Sequence, residues 1–99
     1  MIDIIIKEKK ENGKVYKIDV EAMGHANFNP GNDIVCSAVS TLFYALGNYV
    51  LQKDVDAKCV FEKGYSKIQA EGNLHEAYEM FEGGLRLIKD KYPECIDIH

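Results

Sequence analysis

Glu11-Asn12-Gly13-Lys14 joins two runs of alternating residues, and its reading decides the fold. Asn-Gly tolerates the positive φ values that a two-residue hairpin turn requires. Before it, over residues 2–8, Ile2, Ile4 and Ile6 alternate with Asp3, Ile5 and Lys7. That is the period of two of a strand with one face buried and the other partly covered. After it, Tyr16, Ile18, Val20 and Ala22 alternate with Lys17, Asp19 and Glu21. The stretch therefore predicts a β-hairpin whose apolar face awaits a covering layer.

The covering layer follows in the chain. Gly24, Asn27, Asn29, Pro30, Gly31 and Asn32 fall within Met23 to Asn32 without periodicity, which predicts a loop. Val35, Ala38, Leu42, Ala45, Leu46, Tyr49 and Val50 then recur at three and four residues, predicting a helix from about Asp33 to Gln52. Asn32 or Gly31 would be its cap, and Cys36 would fall in the first turn. Residues 56–62 and 65–71 read as a second hairpin around Lys63-Gly64. Asn73, with Glu76 three residues on, reads as the cap of a second helix. The buried stripe of that helix would be Leu74, Ala77, Tyr78, Phe81, Leu85, Ile88 and Tyr92. Pro93 stops it, and Ile96 with Ile98 suggest a last edge strand. The expected class is α+β: an antiparallel sheet of four to five strands with two helices on one face, order ββαββα plus a possible C-terminal strand.

With 99 residues the chain fits a single domain over residues 1–99. A domain of this size buries only about two-thirds of its unfolded surface, so a second subunit would add stability and a homodimer is expected. The opening residues lack a basic region followed by a cleavage site, and the unbroken apolar runs are too short to cross a bilayer. A cytoplasmic protein without a membrane partner is the expectation. The net charge of −4 argues against a nucleic-acid partner, because phosphate-backbone binding relies on clustered Lys and Arg. A basic protein suits the chain better. Three cysteines, at 36, 59 and 95, contain no C-x-x-C pair, so neither a disulfide framework nor a zinc ribbon is suggested.

Reactive side chains gather in one region: Gly24-His25-Ala26, the loop, and Asp33-Ile34-Val35-Cys36-Ser37-Ala38. A thiol at a helix start is favoured as thiolate by unpaired N–H groups and the macrodipole. Asp33, three residues earlier, projects from the same side of the turn and would either orient His25 or bond loop N–H groups and shape the site. The intervening loop is long enough to return the imidazole to the sulfur. The chemistry would be acyl transfer, with Cys36 as nucleophile and His25 as proton-transfer partner. Gly24 and Gly31 would admit backbone close to a substrate, and free N–H groups near Ile34 to Cys36 or in the loop would hold the oxyanion. A cysteine on a helix is also commonly an inert small hydrophobe, and a histidine after a strand commonly a satisfied loop residue. Cys59 and Cys95 read as structural, His75 as an exposed helix residue, and Tyr78 with Phe81 as core. A metal site from His25, Cys36, Cys59 and His75 lacks ligand spacing, so neither metal nor cofactor is expected.

Gly24-His25-Ala26, followed about ten residues later by Asp33-Ile34-Val35-Cys36-Ser37-Ala38-Val39-Ser40, resembles the signature of the ribosomal-processing cysteine proteases, called Prp. The resemblance covers nearly the whole chain, with the same hairpin, helix, hairpin, helix order. It implies a small bacterial enzyme that removes an amino-terminal extension from large-subunit ribosomal protein number twenty-seven during ribosome assembly. It also implies a His25–Cys36 dyad, Asp33 at the family's aspartate position, a homodimer, and a substrate loop through Ala26, Asn27, Phe28 and Gly31. The extension's hydrophobic, aromatic-containing end implies an apolar groove beside Cys36. Ser37 stands where the family has a smaller alanine, and Phe28 with Pro30 departs from its glycine-rich loops. The alternatives from other classes are a non-enzymatic ribosome-associated binding module and a thiol redox switch.

Overall fold

The computed structural model describes residues 1–24, 30–53 and 56–99, with the side chains of residues 30–33 outside the description. Its elements are β1 (Ile2–Glu11), β2 (Lys14–Met23), α1 (Pro30–Gln52), β3 (Asp56–Glu62), β4 (Tyr65–Glu71), α2 (His75–Lys91) and β5 (Ile96–Ile98). The turn between β1 and β2 has φ of 54° at Asn12 and 77° at Gly13, the left-handed pair that Asn-Gly supplies. The second hairpin forms around Lys63-Gly64 as expected, with Gly64 at φ 77°.

The five strands lie in the order β3-β4-β2-β1-β5. Three contacts are antiparallel, and β5 runs parallel to β1, pairing Ile2 with Ile96 and Ile4 with Ile98. The expected α+β class, two helices on an antiparallel sheet with a C-terminal edge strand, is what the chain adopts, and among the described residues the one parallel pair is that of β5 with β1. The connection from β1 to β5 spans the whole domain, so no hairpin geometry obliges the last strand to reverse direction.

One residue of β2 sits off the predicted face. Lys9 pairs with Lys17 but Lys10 pairs with Val15, a bulge that leaves Tyr16 without an opposite residue on β1. Val15 is therefore buried together with Ile18, Val20 and Ala22, and Tyr16 is only half-buried. The Tyr16 carbonyl instead accepts the Gly72 N–H at 2.8 Å, tying the entry to α2 onto the first hairpin.

Both helices cover one sheet face, and the core lies between. Ile4, Ile18, Ile68 and Ile96 from the sheet meet Val35, Phe43, Val50 and Leu85 from the helices, all fully buried. Each buried Ile or Leu contributes about 1.5–3 kcal/mol relative to exposure. Phe43 of α1 and Phe81 of α2 make an edge-to-face contact with centroids 5.0 Å apart. The inward side of α1 is Val35-Val39-Phe43-Leu46-Val50, where the sequence pattern indicated Ala38, Leu42 and Tyr49. The reason is that α1 has no charged residue from Ile34 to Gln52, so alternation alone could not choose among its apolar faces. At a mean hydropathy of 1.6 this helix is apolar enough to cross a membrane, although its individual apolar runs are short. Here its buried side is sunk into the core.

The stripe of α2 is as expected, with Leu74, Tyr78, Phe81 and Leu85 buried and Ala77, Ile88 and Tyr92 packed against them. The helix is capped differently: Leu74, without a side-chain hydrogen bond, is the N-cap in place of Asn73. His75 is not the exposed residue expected. Its Nδ1 accepts the Val15 N–H at 3.1 Å and its Nε2 lies 2.9 Å from Glu79 Oε1. His75 thereby serves the Val15 amide, which lies beyond the end of the β2–β4 pairing at Lys17.

Candidate active site

Cys36 lies on the sheet-facing side of α1, half-buried and packed against the core. Because α1 begins at Pro30, Cys36 is its seventh residue and belongs to the second turn, not the first. Proline is favoured at the first helical position, where its missing N–H costs nothing and its φ is already helical. Gly31 and Asn32 are consequently inside the helix, not its caps. Two expectations change with this. The macrodipole acts within the first turn, so the helix terminus is not beside the sulfur. The N–H groups of Ile34 to Cys36 also fall beyond the unpaired ones of the helix start, so they are not free to hold an oxyanion.

A cavity of about 60 Å³ opens beside the sulfur. Its walls come from five elements: Cys36, Val39, Ser40 and Tyr44 of α1, Ala22 and Met23 of β2, Ile2 of β1, Glu62 of β3, and Tyr65 and Ser66 of β4. Gly24 and Gly64 complete it. Sequence reasoning found Cys36 and Gly24 but missed the residues of the second hairpin. No local sequence signal marks them, because they reach the cavity through the pairing of β4 with β2, with Ser66 opposite Ala22 and Tyr65 opposite Met23.

Gly24 fixes one corner of this cavity. Its φ is 120°, a conformation available to glycine and strained for other residues. A Cβ there would also run into the Met1 carbonyl oxygen. Its N–H donates to the Gly64 carbonyl at 3.1 Å, so the end of β2 is bound to the β3–β4 turn. Tyr65, on the same rim, donates its hydroxyl to Glu21 Oε2 at 3.0 Å. Burial, then the bond to Glu21, pushes the Tyr65 phenol pKa up, so it stays a neutral donor.

His25, Ala26, Asn27 and Phe28 lie outside the described residues, as does the Asp33 side chain. Asp33 and Gly31 take helical positions on α1. Cys59 lies on β3 with its pKa raised by burial. Cys95 is tied into the backbone, its carbonyl accepting the Ile2 N–H at 3.0 Å. Among the described residues, Asp3, Asp97 and His99 bring their ligand atoms within 4.8 Å of one another. That group was not singled out from sequence, and Lys89 Nζ, 3.7 Å from Asp97, already partners it.

Comparison with known proteins places this geometry. No curated protein sequence matches the chain. Its fold is similar to that of the essential ribosomal processing protease Prp from S. aureus in complex with a substrate peptide. That likeness has a TM-score of 0.81 and 22% identity, and covers 100% of this chain and 98% of that one. The same protease with a covalently linked product peptide gives 0.80 and 23%, with coverage of 100% and 98%. SMU.848 from Streptococcus mutans gives 0.71 and 25%, over 99% of this chain and 91% of that one. A family model described as cysteine protease Prp matches residues 1–97, which includes the Cys36 cavity and both hairpins. The chain belongs to the Prp family of cysteine proteases.

Proposed function

We propose that this chain is a site-specific endopeptidase, with Cys36 as nucleophile and His25 as general acid and base. Its substrate is large-subunit ribosomal protein number twenty-seven, from which it removes the amino-terminal extension during ribosome assembly, in the cytoplasm. The observation that carries the reading is the cavity shared by Cys36 and Gly24, because Gly24 is the residue that precedes His25. The family match over residues 1–97 and the substrate and product peptides held by the S. aureus relatives support it.

In this mechanism the Cys36 sulfur attacks the scissile carbonyl carbon and a C–S bond forms. The C–N bond breaks as His25 gives its proton to the departing amine. Water then attacks the thioester, His25 takes up its proton, and the acid product leaves with the sulfur restored. With Cys36 in the second turn, activation rests on His25 more than on the helix terminus. Asp33 orients the imidazole, Gly24 and Gly31 allow close approach, and Ala26, Asn27 and Phe28 form the substrate loop. The apolar cavity wall of Ile2, Ala22 and Val39 suits a hydrophobic substrate segment.

The enzyme works as a homodimer in this reading. Support comes from the groove of about 470 Å³ between α1 and α2, lined by Leu42, Tyr49, Ala77 and Met80 among others. The dyad is tested by incubating the purified protein with the ribosomal protein precursor. Cys36→Ala and His25→Ala should each lower cleavage by about two orders of magnitude or more. Undiminished cleavage by Cys36→Ala would remove the nucleophile assignment.

A further inference from the structure

The sheet ends at β3, whose outer edge pairs with no strand among the described residues. The hydrogen-bonding direction along β3 follows from its turn. A two-residue loop makes Glu62 and Tyr65 the closing pair that exchanges N–H···O bonds. Alternation from there directs the N–H and C=O groups of Asp56, Lys58, Val60 and Glu62 toward β4. Those of Ala57, Cys59 and Phe61 point to the open edge. The strand has seven residues with no proline and a regular register without a bulge. It therefore lacks two of the devices that commonly protect an edge from pairing.

The edge leads to the sulfur. Glu62, its last residue, lines the same cavity as Cys36. Over it lies α1, held close by Gly47, whose Cβ position is 2.6 Å from Phe61 Cζ and 3.5 Å from Cys59 Sγ. Tyr44 stacks at a tilt on Phe61 with centroids 4.9 Å apart and also lines the Cys36 cavity. Tyr44 and Leu51, seven residues apart on α1, are 56% and 61% exposed. Tyr44 thus borders the edge on the helix side, and Leu51 continues its exposed helix face two turns on.

We infer that β3 is the docking strand for the substrate: an extended peptide pairs along Ala57–Phe61 and passes Glu62 into the cavity at Cys36. The inference rests on the peptidase reading above. Side chains of an added strand alternate between faces, so every second one meets Tyr44 and Leu51. The peptide is accordingly apolar at alternate positions, and its main chain supplies the pairing, as in other strand-addition complexes.

The test is residue-resolved amide hydrogen exchange on Cys36→Ala, free and saturated with a peptide spanning the extension junction of the ribosomal protein precursor. The Ala57, Cys59 and Phe61 amides should slow by about tenfold or more on binding, while Lys58 and Val60, already bonded to β4, change little. A saturated complex in which the three amides exchange as in the free protein overturns strand addition. So does protection of them in the free protein that rises with protein concentration, which would mean that a second copy occupies the edge. Cleavage of the same peptide by the unmodified enzyme separates the two claims. Cleavage with an unprotected edge defeats the docking strand alone, and absence of both binding and cleavage defeats the peptidase reading with it.

Discussion

Gly24 meets two constraints at once, a φ of 120° and a backbone neighbour at Met1 where a side chain would stand. Relief of either leaves the other, so no small rotation accommodates an added methyl. Gly24→Ala should lose roughly 1–3 kcal/mol of stability, measured by urea denaturation, and cleavage should fall with it because the cavity wall moves. Stability unchanged by that substitution would contradict the strained conformation. Gly24 and Cys36 were both legible in the sequence, one as a glycine before histidine and the other as a thiol near a helix start. What sequence could not give was the depth of Cys36 in its helix. Pro30 looked like part of the loop, yet its fixed φ makes it a first helical residue. The strand partners of the site were hidden for a different reason. Ser66 and Tyr65 reach it only through the pairing of β4 with β2, opposite Ala22 and Met23 far back in the chain, and local pattern carries no register between distant strands.

Among the elements, α1 shows where periodicity fails. A helix without charges between Ile34 and Gln52 has only the neutral stripe of Ser37, Thr41, Asn48 and Gln52 to mark its outside, and apolar residues flank that stripe on every side, so its inward residues are settled by the partners it meets. Phe43 reaches Phe81, and Gly47 lets the helix approach β3. Alanine at position 47 gains helix propensity of about 1 kcal/mol but pushes into the Phe61 ring. A double-mutant cycle should resolve the two effects. Gly47→Ala should be more favourable by about 1 kcal/mol or more in a Phe61→Leu background than in the native one, read as the shift in denaturation midpoint. Equal effects in both backgrounds would mean that the ring does not resist the methyl. By contrast, the buried stripe of α2 was legible residue by residue because its apolar positions recur at helical spacing between charged ones, from Glu76 to Lys91. Its start was not, since Leu74 closes the helix from the core side and leaves Asn73 unused. In β2, a single bulged residue at Tyr16 was enough to move Val15 into the core against the apparent alternation.

At the scale of the molecule, the two sides of the sheet differ in kind. The open side carries polar pairs, with Lys67 3.7 Å from Glu21 and the Gln69 amide donating to Asp19 Oδ2 at 3.3 Å. The helix side carries large apolar residues among the charged ones of its outer surface, with Met80 and Leu87 74% and 71% exposed. Seven residues apart, these two share one face of α2 beside the groove shared with α1. If that face joins two copies, sedimentation should report a dimer for the native chain, and Met80→Glu should shift it toward monomer by about tenfold or more in dissociation constant. A monomeric native chain at micromolar concentration would remove the dimer. Layer order and element number were readable from the alternation of strand and helix patterns. The direction of β5 was not, because three residues after a helix can dock either way and only the β1 edge decides.

That last docking has a consequence in time. The β1 strand sits between β2 and β5, and it contributes Ile2 and Ile4 to the core. During synthesis its far edge has no neighbour until residues 96–98 leave the ribosome. The earliest strand made is therefore completed by the latest, and through that interval the nascent chain carries an apolar edge open to mispairing.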